Sequence, residues 1–512
     1  MPAATVPQAL ALAAEHREAR RFAEAEGIYL RMLREWPEHP DVLHELALLH
    51  QAAGQPGAAC AALERALARR RGDPALLNTL SIVLRSAGRH CEAIAASREA
   101  LLLRRDEPIL HCNLGLALQT HGQQEAAHAA YREALALRPD FTPAHTQLGI
   151  LLSEQRRYPE AAAAFEKACE SSPGDPAHWT NLAVAHEKLG EFAQARALYE
   201  KALALHPHFA PALKNYTFSL LRGGDFARGW ELYERRFDAP DFPTPLRDLR
   251  TPWWDGSDPR GRTILLHHEQ GYGDNIQFAR YAGVLAEMGA TVLLECLAPL
   301  RELFASLPGV ARLLAPDEPP PPHEVRCHLM SLPHRLKTIP VAVPYLTAPL
   351  RKLEEWRARL GAGDGWRVGL AWAGNPSHAN DRDRSCPLAV FAPLAALPGV
   401  RLFSLQKEST LPCGFPLHDF SAHLETFADT AALIANLDLT ISVDTAAAHL
   451  AGALGRPVWM LASAVPEWRW MLGREDSPWY PTLRIFRQPR LGDWESVIGE
   501  LVRMLASANR TP

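Results

Sequence analysis

The chain has 512 residues, of which 47% are hydrophobic and 22% charged, and its formal net charge is −4. These values are ordinary for globular proteins and allow two or three domains with cores of normal size. They exclude a disordered or collagen-like chain, and the lack of excess positive charge argues against a nucleic-acid-binding domain. The eight cysteines show neither a CxxC pair nor zinc-finger spacing, so free thiols in a cytosolic protein are expected.

The N-terminal segment does not read as a signal peptide. No basic region precedes its apolar residues, and Glu15 and Arg17 interrupt them early. No apolar run in the chain reaches the roughly 20 residues that cross a bilayer. We therefore predict no transmembrane segment and a cytoplasmic location.

A period of 34 residues runs through the first half of the chain. In each period a leucine is followed by a small residue, by an alanine 13 residues after the leucine, and by a second alanine 7 residues later. Small residues at fixed positions let the two helices of a hairpin pack closely, and large residues fill the space between neighbouring hairpins. The leucines are Leu46, Leu80, Leu114, Leu148 and Leu182, and the alanine series begin at Ala59 and Ala66.

This pattern resembles the tetratricopeptide repeat, and about seven units fit residues 6–243. The first unit is recognisable, whereas the last is degenerate, with Tyr216, Gly229 and Arg236 at the expected sites. Atypical terminal units are typical of capping in repeat arrays. The resemblance implies an all-α superhelix with one concave face.

The position before the repeat leucine forms a second series, because it carries Asn113, Gln147, Asn181 and Asn215. In the tetratricopeptide family this position faces the groove, where side-chain amides can bind the N–H and C=O groups of an extended peptide. The series resembles the repeat arm of protein O-GlcNAc transferases, which implies a peptide-binding groove. The alternative is that these are the solvated polar positions of ordinary repeats.

The second half of the chain alternates short apolar runs with helical segments. Residues 244–262 contain prolines and glycines without a period and are predicted to be a linker. Strand–helix alternation predicts parallel sheets covered on both faces. We predict two Rossmann-like lobes, residues 263–348 and 366–512, with ligands at the carboxyl ends of the strands. The predicted strands are 263–268, 291–295, 368–373, 401–405, 439–443, 457–462 and 483–487, and the predicted helices are 275–289, 298–307, 387–397, 426–437, 445–455 and 493–507.

Two strand-to-helix junctions carry motifs. The first is HEQGYGDNIQFARY (268–281), with the loop G-x-G-D-x-I at 271–276, and the second is SVDTAAAHLAGALGRPVW (442–459). A helix that begins with small residues allows a phosphate to approach its free N–H groups. Neither junction is a Walker A loop or a complete GxGxxG.

Together with VGLAWAGNP…DRDRS (368–385), these motifs resemble bacterial glycosyltransferase family 9, the ADP-heptose heptosyltransferases, which have a GT-B fold. The resemblance covers about residues 260–512, and D-T-x-x-x-H is its most specific part. A repeat arm joined to a GT-B unit also resembles the protein O-GlcNAc transferases in architecture. The expected fold class is α + α/β multidomain, a tetratricopeptide superhelix followed by a GT-B-like pair of Rossmann-like lobes.

The family resemblance implies a role for each motif residue. Asp274 occupies the place of the proposed base that takes the acceptor's proton, with a helix N-cap as the alternative. Arg384 matches a basic residue that would meet the diphosphate, where the family has lysine. Asp444 would hold sugar hydroxyls or fix its loop, and His449 would touch phosphate or pack against a strand. The predicted donor-binding residues are Gly273, Asn375, Arg384, Gln406, Asp444, Thr445, Ala446, Ala447 and His449.

Other conspicuous residues are assigned structural roles. Trp253, Trp254 and the cluster from Trp468 to Tyr480 are expected to seal a lobe interface more than to stack on sugars. His267 and His268 are consecutive on a strand and point to opposite faces, so no metal site is predicted there. The resemblance also implies that no metal or cofactor is needed beyond a nucleotide-diphosphate sugar as donor.

The leading interpretation is an inverting glycosyltransferase whose repeats recruit the acceptor. The first lobe has only about 90 residues, shorter than the acceptor lobe of typical heptosyltransferases, which favours a protein or peptide acceptor. The alternative is a non-enzymatic adaptor whose GT-B unit only binds a nucleotide sugar. The sequence leaves the donor open between ADP-heptose, UDP-GlcNAc and others, and it identifies neither the acceptor nor the oligomeric state.

Overall fold

The computed structural model describes residues 6–238, 247, 249–378, 380–408 and 413–508. The chain divides into two compact units, Met1–Ala212 and Leu213–Pro512. The end of the predicted repeat array, residues 239–243, and residues 244–246 and 248 of the predicted linker lie outside the described residues. In the described part of the chain, no helix is long and apolar enough to cross a membrane.

Fourteen consecutive α-helices form the described N-terminal region, and from α1 to α12 each packs against its neighbours in sequence. This arrangement confirms the predicted all-α repeat fold. The helices are α1 (Val6–Glu18), α2 (Phe22–Glu35), α3 (Pro40–Ala52), α4 (Pro56–Arg69), α5 (Pro74–Ser86), α6 (His90–Leu103), α7 (Pro108–Thr120), α8 (Gln124–Leu137), α9 (Thr142–Glu154), α10 (Tyr158–Ser171), α11 (Pro176–Lys188), α12 (Phe192–Leu205), α13 (Ala210–Arg222) and α14 (Phe226–Tyr233).

Local sequence sets where these helices begin and end. Pro74 and Pro108 stand at the first positions of α5 and α7, where a missing N–H costs nothing. Asp73 caps α5, because its carboxylate accepts the N–H of Ala75 at 2.9 Å. Gly88 follows α5 with a φ of +76°, a left-handed conformation that glycine adopts without strain. The boundaries of α5 are therefore encoded by a cap and a proline before the helix and a glycine after it.

The small-residue positions of the period form the contacts inside each hairpin. Gly115 faces Tyr131 and Gly149 faces Phe165 so closely that a Cβ on either glycine would lie 2.4 or 2.5 Å from the ring. At the equivalent site Ser81 donates to the carbonyl of Ala93 at 2.9 Å. Both alanine series are fully buried, among them Ala59, Ala93, Ala127, Ala161, Ala195, Ala66, Ala100, Ala134, Ala168 and Ala202.

Identical glycine-to-alanine substitutions at two helix positions should have different effects. Gly149→Ala adds a methyl group 2.5 Å from Phe165, whereas Gly27→Ala on α2 adds one with nothing within 4 Å. Both gain about 1 kcal/mol of helix propensity, so the difference isolates the steric clash, which we expect to cost about 1–3 kcal/mol. In thermal unfolding followed by circular dichroism, the melting temperature of Gly27→Ala should be higher than that of the parent chain, and that of Gly149→Ala should be lower. Equal midpoints for the two variants would contradict this account of the packing.

The second unit contains two parallel sheets, which confirms the predicted pair of Rossmann-like lobes. The four-stranded sheet has the order β3-β2-β1-β4 and the five-stranded sheet the order β6-β5-β7-β8-β9. The strands are β1 (Thr263–His267), β2 (Thr291–Glu295), β3 (Val310–Leu314), β4 (Val325–His328), β5 (Trp366–Ala371), β6 (Val400–Ser404), β7 (Leu439–Val443), β8 (Val458–Ala462) and β9 (Leu483–Arg487). The helices are α15 (Tyr272–Phe278), α16 (Tyr281–Glu287), α17 (Arg301–Phe304), α18 (Leu332–Leu336), α19 (Leu350–Leu360), α20 (Asp381–Arg384), α21 (Ala392–Ala395), α22 (Phe427–Ala435), α23 (Ala446–Ala453) and α24 (Trp494–Ala508).

The structure corrects several predicted elements. The single helix expected at 275–289 is two helices, α15 and α16, separated at Arg280. The Arg280 guanidinium turns inward there and donates to the carbonyls of Gln277 and Trp479 at 2.9 and 2.6 Å. The helices expected at 298–307 and 387–397 are each a 3₁₀ turn followed by one short α-helical turn, α17 and α21. Strands β3 and β4 were not predicted at all.

The last repeat hairpin, α13 and α14, contributes to the core of the second unit. Trp230 and Trp468 pack edge to face with their ring centroids 5.0 Å apart. Arg222 donates to the carbonyl of Pro466 at 2.9 Å. Arg236, just after α14, forms a two-pronged ion pair with the buried Glu269 at 2.6 and 2.9 Å. The degenerate repeat is thus bound to the loops of both lobes.

Candidate functional site

The two motif-bearing junctions face each other across the lobes of the second unit. Gly273 on α15 lies against the start of α23, where a Cβ at Gly273 would be 3.0 Å from His449 Cδ2 and 3.5 Å from Ala446 Cα. A side chain at this position would crowd His449, so glycine favours the close approach. The two junctions, which are far apart in the sequence, are therefore in contact in the fold.

Asp274 is held at both carboxylate oxygens. Oδ2 accepts the N–H of Gly271 at 2.9 Å, which is the helix-capping contact expected for an aspartate after a turn. Oδ1 accepts from the guanidinium of Arg469 in the five-stranded lobe. Asp274 therefore caps α15 through one oxygen, as the alternative interpretation expected, and its other oxygen accepts from the buried guanidinium of Arg469.

Arg469 links several groups at this site and is only 7% exposed. Besides Asp274, its Nε donates to Gln277 Oε1 at 2.6 Å and its Nη1 to Glu467 Oε1 at 2.5 Å. Its guanidinium also lies 4.3 Å from the ring centroid of Trp468, a cation–π distance. The arginine joins α15 of one lobe to the loop after β8 of the other.

Burial alters the protonation of the carboxyl groups around Arg469. Desolvation raises the pKa of Glu467 to about 7, although the Arg469 charge opposes that rise. Desolvation also raises the pKa of Asp444, against the charges of Arg469 and Arg384, and the nearby Asp274 carboxylate adds to the rise. A carboxyl group with a pKa near neutrality is suited to proton transfer at physiological pH.

The start of α23 has the features of an anion site. Thr445 is the N-cap residue, yet its side chain does not cap the helix and instead lies 3.1 Å from Ser442 Oγ. The N–H of Ala448 donates to the carbonyl of Thr445 at 3.1 Å, which begins the hydrogen bonding of α23. The N–H groups of Ala446 and Ala447 thus belong to the first turn, which has no intrahelical acceptor.

Arg384 lies beside the same helix start. Its Nη1 donates to the carbonyl of Asp444 at 3.2 Å and its Nε to Asp381 Oδ1 at 3.2 Å. A Cβ at Gly374 would be 2.4 Å from Arg384 Nη2, so glycine just after β5 makes room for the guanidinium. Asp381 and Asp383 form an Asp-x-Asp sequence on α20, but Asp381 binds Arg384 and Ser385.

The remaining residues predicted to bind the sugar donor differ in solvent exposure. His449 is buried, with Nδ1 3.0 Å from the Tyr480 hydroxyl and its ring stacked 5.2 Å from that of Trp470. Asn375 is exposed, and its side chain accepts the N–H of Ser377 at 3.0 Å. Gln406 is half-buried after β6, and its N–H donates to Ser404 Oγ at 3.2 Å. His449 therefore packs in the core, and its predicted phosphate contact stays a prediction, as do the roles of Asn375 and Gln406.

The predicted peptide ladder is divided between the two units. Asn113 on α7 already donates to Asn78 Oδ1 at 2.7 Å. Gln147 on α9 and Asn181 on α11 are half-buried. Asn215 lies on α13, beyond the division after Ala212. One amide of the series is thus engaged within the array, and the groove remains a prediction.

Among the described residues, no group of three or more His, Cys, Asp or Glu side chains could hold a metal ion. Sequence reasoning missed Glu467, Arg469 and Gln277, although Trp468 and Trp470 on either side of Arg469 attracted attention. The sequence does contain a local sign of these residues. Glu467 and Arg469, one acidic and one basic, stand within an aromatic run shortly after β8.

Two protein families match parts of the chain. A tetratricopeptide repeat family matches residues 44–108, 112–176, 146–210 and 180–241. Glycosyltransferase family 9 (heptosyltransferase) matches residues 424–485, which include β7, α23, β8 and Arg469. The chain joins tetratricopeptide repeats to a glycosyltransferase family 9 segment.

Several individual proteins are similar to parts of the chain. Protein FlbA of Caulobacter vibrioides (strain ATCC 19089 / CIP 103742 / CB 15) is 30% identical over 318 residues, which are 52% of this chain and 49% of FlbA. The chain thus spans about half the length of this curated relative. Among solved structures, the tetratricopeptide repeat protein TTC0263 of Thermus thermophilus is 22% identical with a TM-score of 0.32, covering 36% of this chain and 99% of that protein. Pseudomonas aeruginosa PilF is 18% identical with a TM-score of 0.34, covering 40% and 94%.

Removal of the Arg469 charge should destabilise the second unit. Arg469→Met leaves Asp274 and Glu467 partly buried without their shared cation, and breaking such a buried pair costs about 3–5 kcal/mol. Arg490→Met is the control, because Arg490 is 86% exposed and 3.8 Å from Asp493 and surface pairs contribute little. Thermal unfolding should show a large drop for Arg469→Met alone. A drop of the same size in both variants would contradict the bridging role.

The buried His449 should make the second unit sensitive to acid. Burial lowers the pKa of His449 well below 6.5, so the unfolded chain takes up a proton below pH 6.5 that the folded chain does not. Stability therefore falls as the pH drops, by up to about 1.4 kcal/mol per pH unit from this group. We expect the loss of melting temperature between pH 7.5 and 5.5 to be smaller in His449→Gln than in the parent. His334→Gln, a partly buried histidine on α18, should keep the parent's pH dependence.

Proposed function

We propose that the protein is an inverting glycosyltransferase that transfers a sugar from a nucleotide-diphosphate donor, in the cytoplasm, to an acceptor recruited by the repeats. A protein or peptide acceptor is favoured. The observation that carries the proposal is the contact of the Asp274 loop with the start of α23. This contact brings a carboxylate from one lobe beside the N-terminus of α23 in the other, and the family 9 match includes that helix.

The donor diphosphate would lie at the start of α23. The N–H groups of Ala446 and Ala447, following Thr445, would bind one phosphate, and the helix dipole favours the negative charge. Arg384 supports this placement, because its guanidinium is 3.2 Å from the Asp444 carbonyl at the same helix start. It would stabilise the charge that develops on the leaving nucleotide.

Asp274 would act as the base, with Arg469 as its positioning residue. The bond from Arg469 and the N–H of Gly271 fix the orientation of the carboxylate. Each carboxylate oxygen has a second lone pair, so an acceptor hydroxyl could still bind. Glu467 is a second candidate base, because its pKa is raised to about 7.

The charge balance of the site sets a requirement for donor binding. Asp274, Asp444 and Glu467 surround the guanidinia of Arg384 and Arg469, and a diphosphate would add further negative charge. Because the pKa of Glu467 is raised to about 7, this carboxyl group can take up a proton as the diphosphate binds. Donor affinity should therefore decrease as the pH rises above 7.

A thermal-shift screen tests the donor site. We expect one of ADP, UDP or GDP, or its sugar conjugate, to raise the melting temperature in a concentration-dependent way, because a ligand present at about 100 times its dissociation constant stabilises by about 2.7 kcal/mol. Arg384→Ala should abolish the shift. Arg382→Ala, which removes the other arginine of the same short helix, should retain it. A shift that survives Arg384→Ala would contradict the assigned phosphate site.

The second candidate is an adaptor that binds a nucleotide sugar without transferring it. The engagement of both Asp274 oxygens favours this reading. Asp274→Asn separates the two functions once a donor is identified. Loss of transfer with retained nucleotide binding supports the enzyme. Absence of transfer in the parent chain, with nucleotide binding and partner capture retained, supports the adaptor.

A further inference from the structure

A groove with a volume of about 450 Å³ lies between α4 and α6, the second helices of two neighbouring repeat hairpins. Residues three, four or seven positions apart share one face of a helix, and each of the three helices around the groove contributes such a set. The lining residues of this α4–α6 groove are Glu64, Leu67, Arg71 and Gly72 from α4 and the turn after it, Leu77, Leu80 and Leu84 from α5, and Arg89, Glu92, Ala95, Ala96 and Glu99 from α6 and its N-cap.

The floor of the groove is apolar, and an apolar surface continues past its end. Leu77 and Leu84 of α5 are each 3% exposed. Beyond the groove, Leu102 and Leu103 at the end of α6 are 73% and 49% exposed. Leu103 adjoins the groove, because its Cδ1 would lie 3.7 Å from a Cβ on Gly72. Exposed apolar side chains that extend a groove in this way mark a surface for binding another molecule.

The walls of the groove carry uncompensated negative charge. Glu64 on α4 and Glu99 on α6 are exposed, and neither forms an ion pair with a residue that the structure describes. Arg89 lines the same groove, but Glu92 already accepts from its Nε and Nη2 at 2.7 and 2.6 Å. With Arg71, the lining contains three glutamates and two arginines. Basic groups on a partner would therefore complement the walls.

The pair of glutamates distinguishes this groove from the other intervals between second helices. Residues displaced from Glu64 and Glu99 by multiples of the 34-residue period include at least one basic residue in every interval. A basic partner is thus attracted to the α4–α6 groove and repelled elsewhere by at least one charge. The corresponding pairs are Leu30 and Arg65, Arg98 and Glu133, Arg132 and Lys167, and Glu166 and Lys201.

The lining favours a helix over an extended peptide. None of the described residues that line the groove is Asn, Gln, Ser or Thr, whose side chains bind the N–H and C=O groups of an extended chain. A helix bonds these backbone groups internally and can present apolar side chains to a groove. From Glu92 to Leu103, α6 rises about 16 Å, the length of about three helical turns. The surface therefore matches a short helix in length.

We propose that the α4–α6 groove, together with Leu102 and Leu103, binds an amphipathic helix of a partner protein. The apolar face of that helix packs on the leucines of α5 and α6, and its lysine or arginine side chains pair with Glu64 and Glu99. The predicted amide series lies on the first helices of the hairpins, so this surface is separate from it. The proposal also stands apart from the donor site and from sugar transfer.

Selection from a displayed library of helical peptides tests the proposal on the full-length protein. The peptides have about 15 residues, enough for the three turns that fit the surface. Counter-selection on Ala95→Leu removes peptides that bind elsewhere, because Ala95 is exposed on the groove wall and leucine is a good helix former. We expect enriched peptides to carry apolar residues at helical spacing beside lysine or arginine, with dissociation constants of about 1–100 μM.

Fluorescence anisotropy with an enriched peptide measures the contribution of each wall. Ala95→Leu should weaken binding about ten-fold or more, because the larger side chain fills the groove. Ala129→Leu, the same substitution at the exposed equivalent position of α8, should bind like the parent. Glu64→Gln and Glu99→Gln should each weaken binding about two- to five-fold, the usual effect of one surface ion pair.

Two controls separate this result from other causes. All four variants should melt like the parent chain, because the substituted side chains are exposed. Nucleotide thermal shifts should persist in all of them, so failure of this proposal is distinguishable from failure of the donor site.

Three results would overturn the proposal. The first is that no peptide is enriched after counter-selection. The second is that the enriched peptides are acidic, or that they bind Glu64→Gln and Glu99→Gln as tightly as the parent. The third is saturable binding of the neutral dye Nile red that Ala95→Leu abolishes and Ala129→Leu does not, without any enriched peptide, which would assign the groove to a small apolar molecule.

Discussion

The buried guanidinium of Arg469 is the interaction on which the second unit depends. It is shared by Asp274 and Gln277 from one lobe and by Glu467 from the other. Each of these groups would be costly to bury without it. The arrangement of the lobes and the orientation of the candidate base therefore have the same physical cause. A movement of one lobe relative to the other would therefore also reorient the Asp274 carboxylate.

The fold could be predicted where the sequence repeats its own pattern. The glycines Gly115 and Gly149 recur because each must admit the large ring of Tyr131 or Phe165, and the period reveals them without coordinates. Strands with apolar runs were equally visible. Strand β4 was not, because it includes Arg326 and His328, polar residues that are nonetheless buried. Arg326 Nη1 donates to the carbonyl of Arg247 at 2.8 Å, a partner distant in sequence.

The candidate site could be predicted only as far as its motifs are local. Asp274, Asp444 and Thr445 follow strands closely, so a motif marks them. Arg469 reaches Asp274 across 195 residues of sequence, and a single sequence contains no signal for such a pair. The same holds for His267 and His328, which are neighbours because their strands pair in the folded sheet. The order of the strands in each sheet determines which side chains meet, and the sequence predicts parallel sheets without predicting that order.

The last repeat hairpin has a consequence for how this protein can have been assembled. Arg236 neutralises the fully buried Glu269 of the first lobe, and α14 packs on the loop that carries Arg469 through Trp230 and Trp468. Gene fusion is usually pictured as joining two self-sufficient modules at a linker. Here residues 213–238 supply part of the core of the second unit, so the chain divides after Ala212, at the start of the last repeat hairpin, and not at the predicted linker.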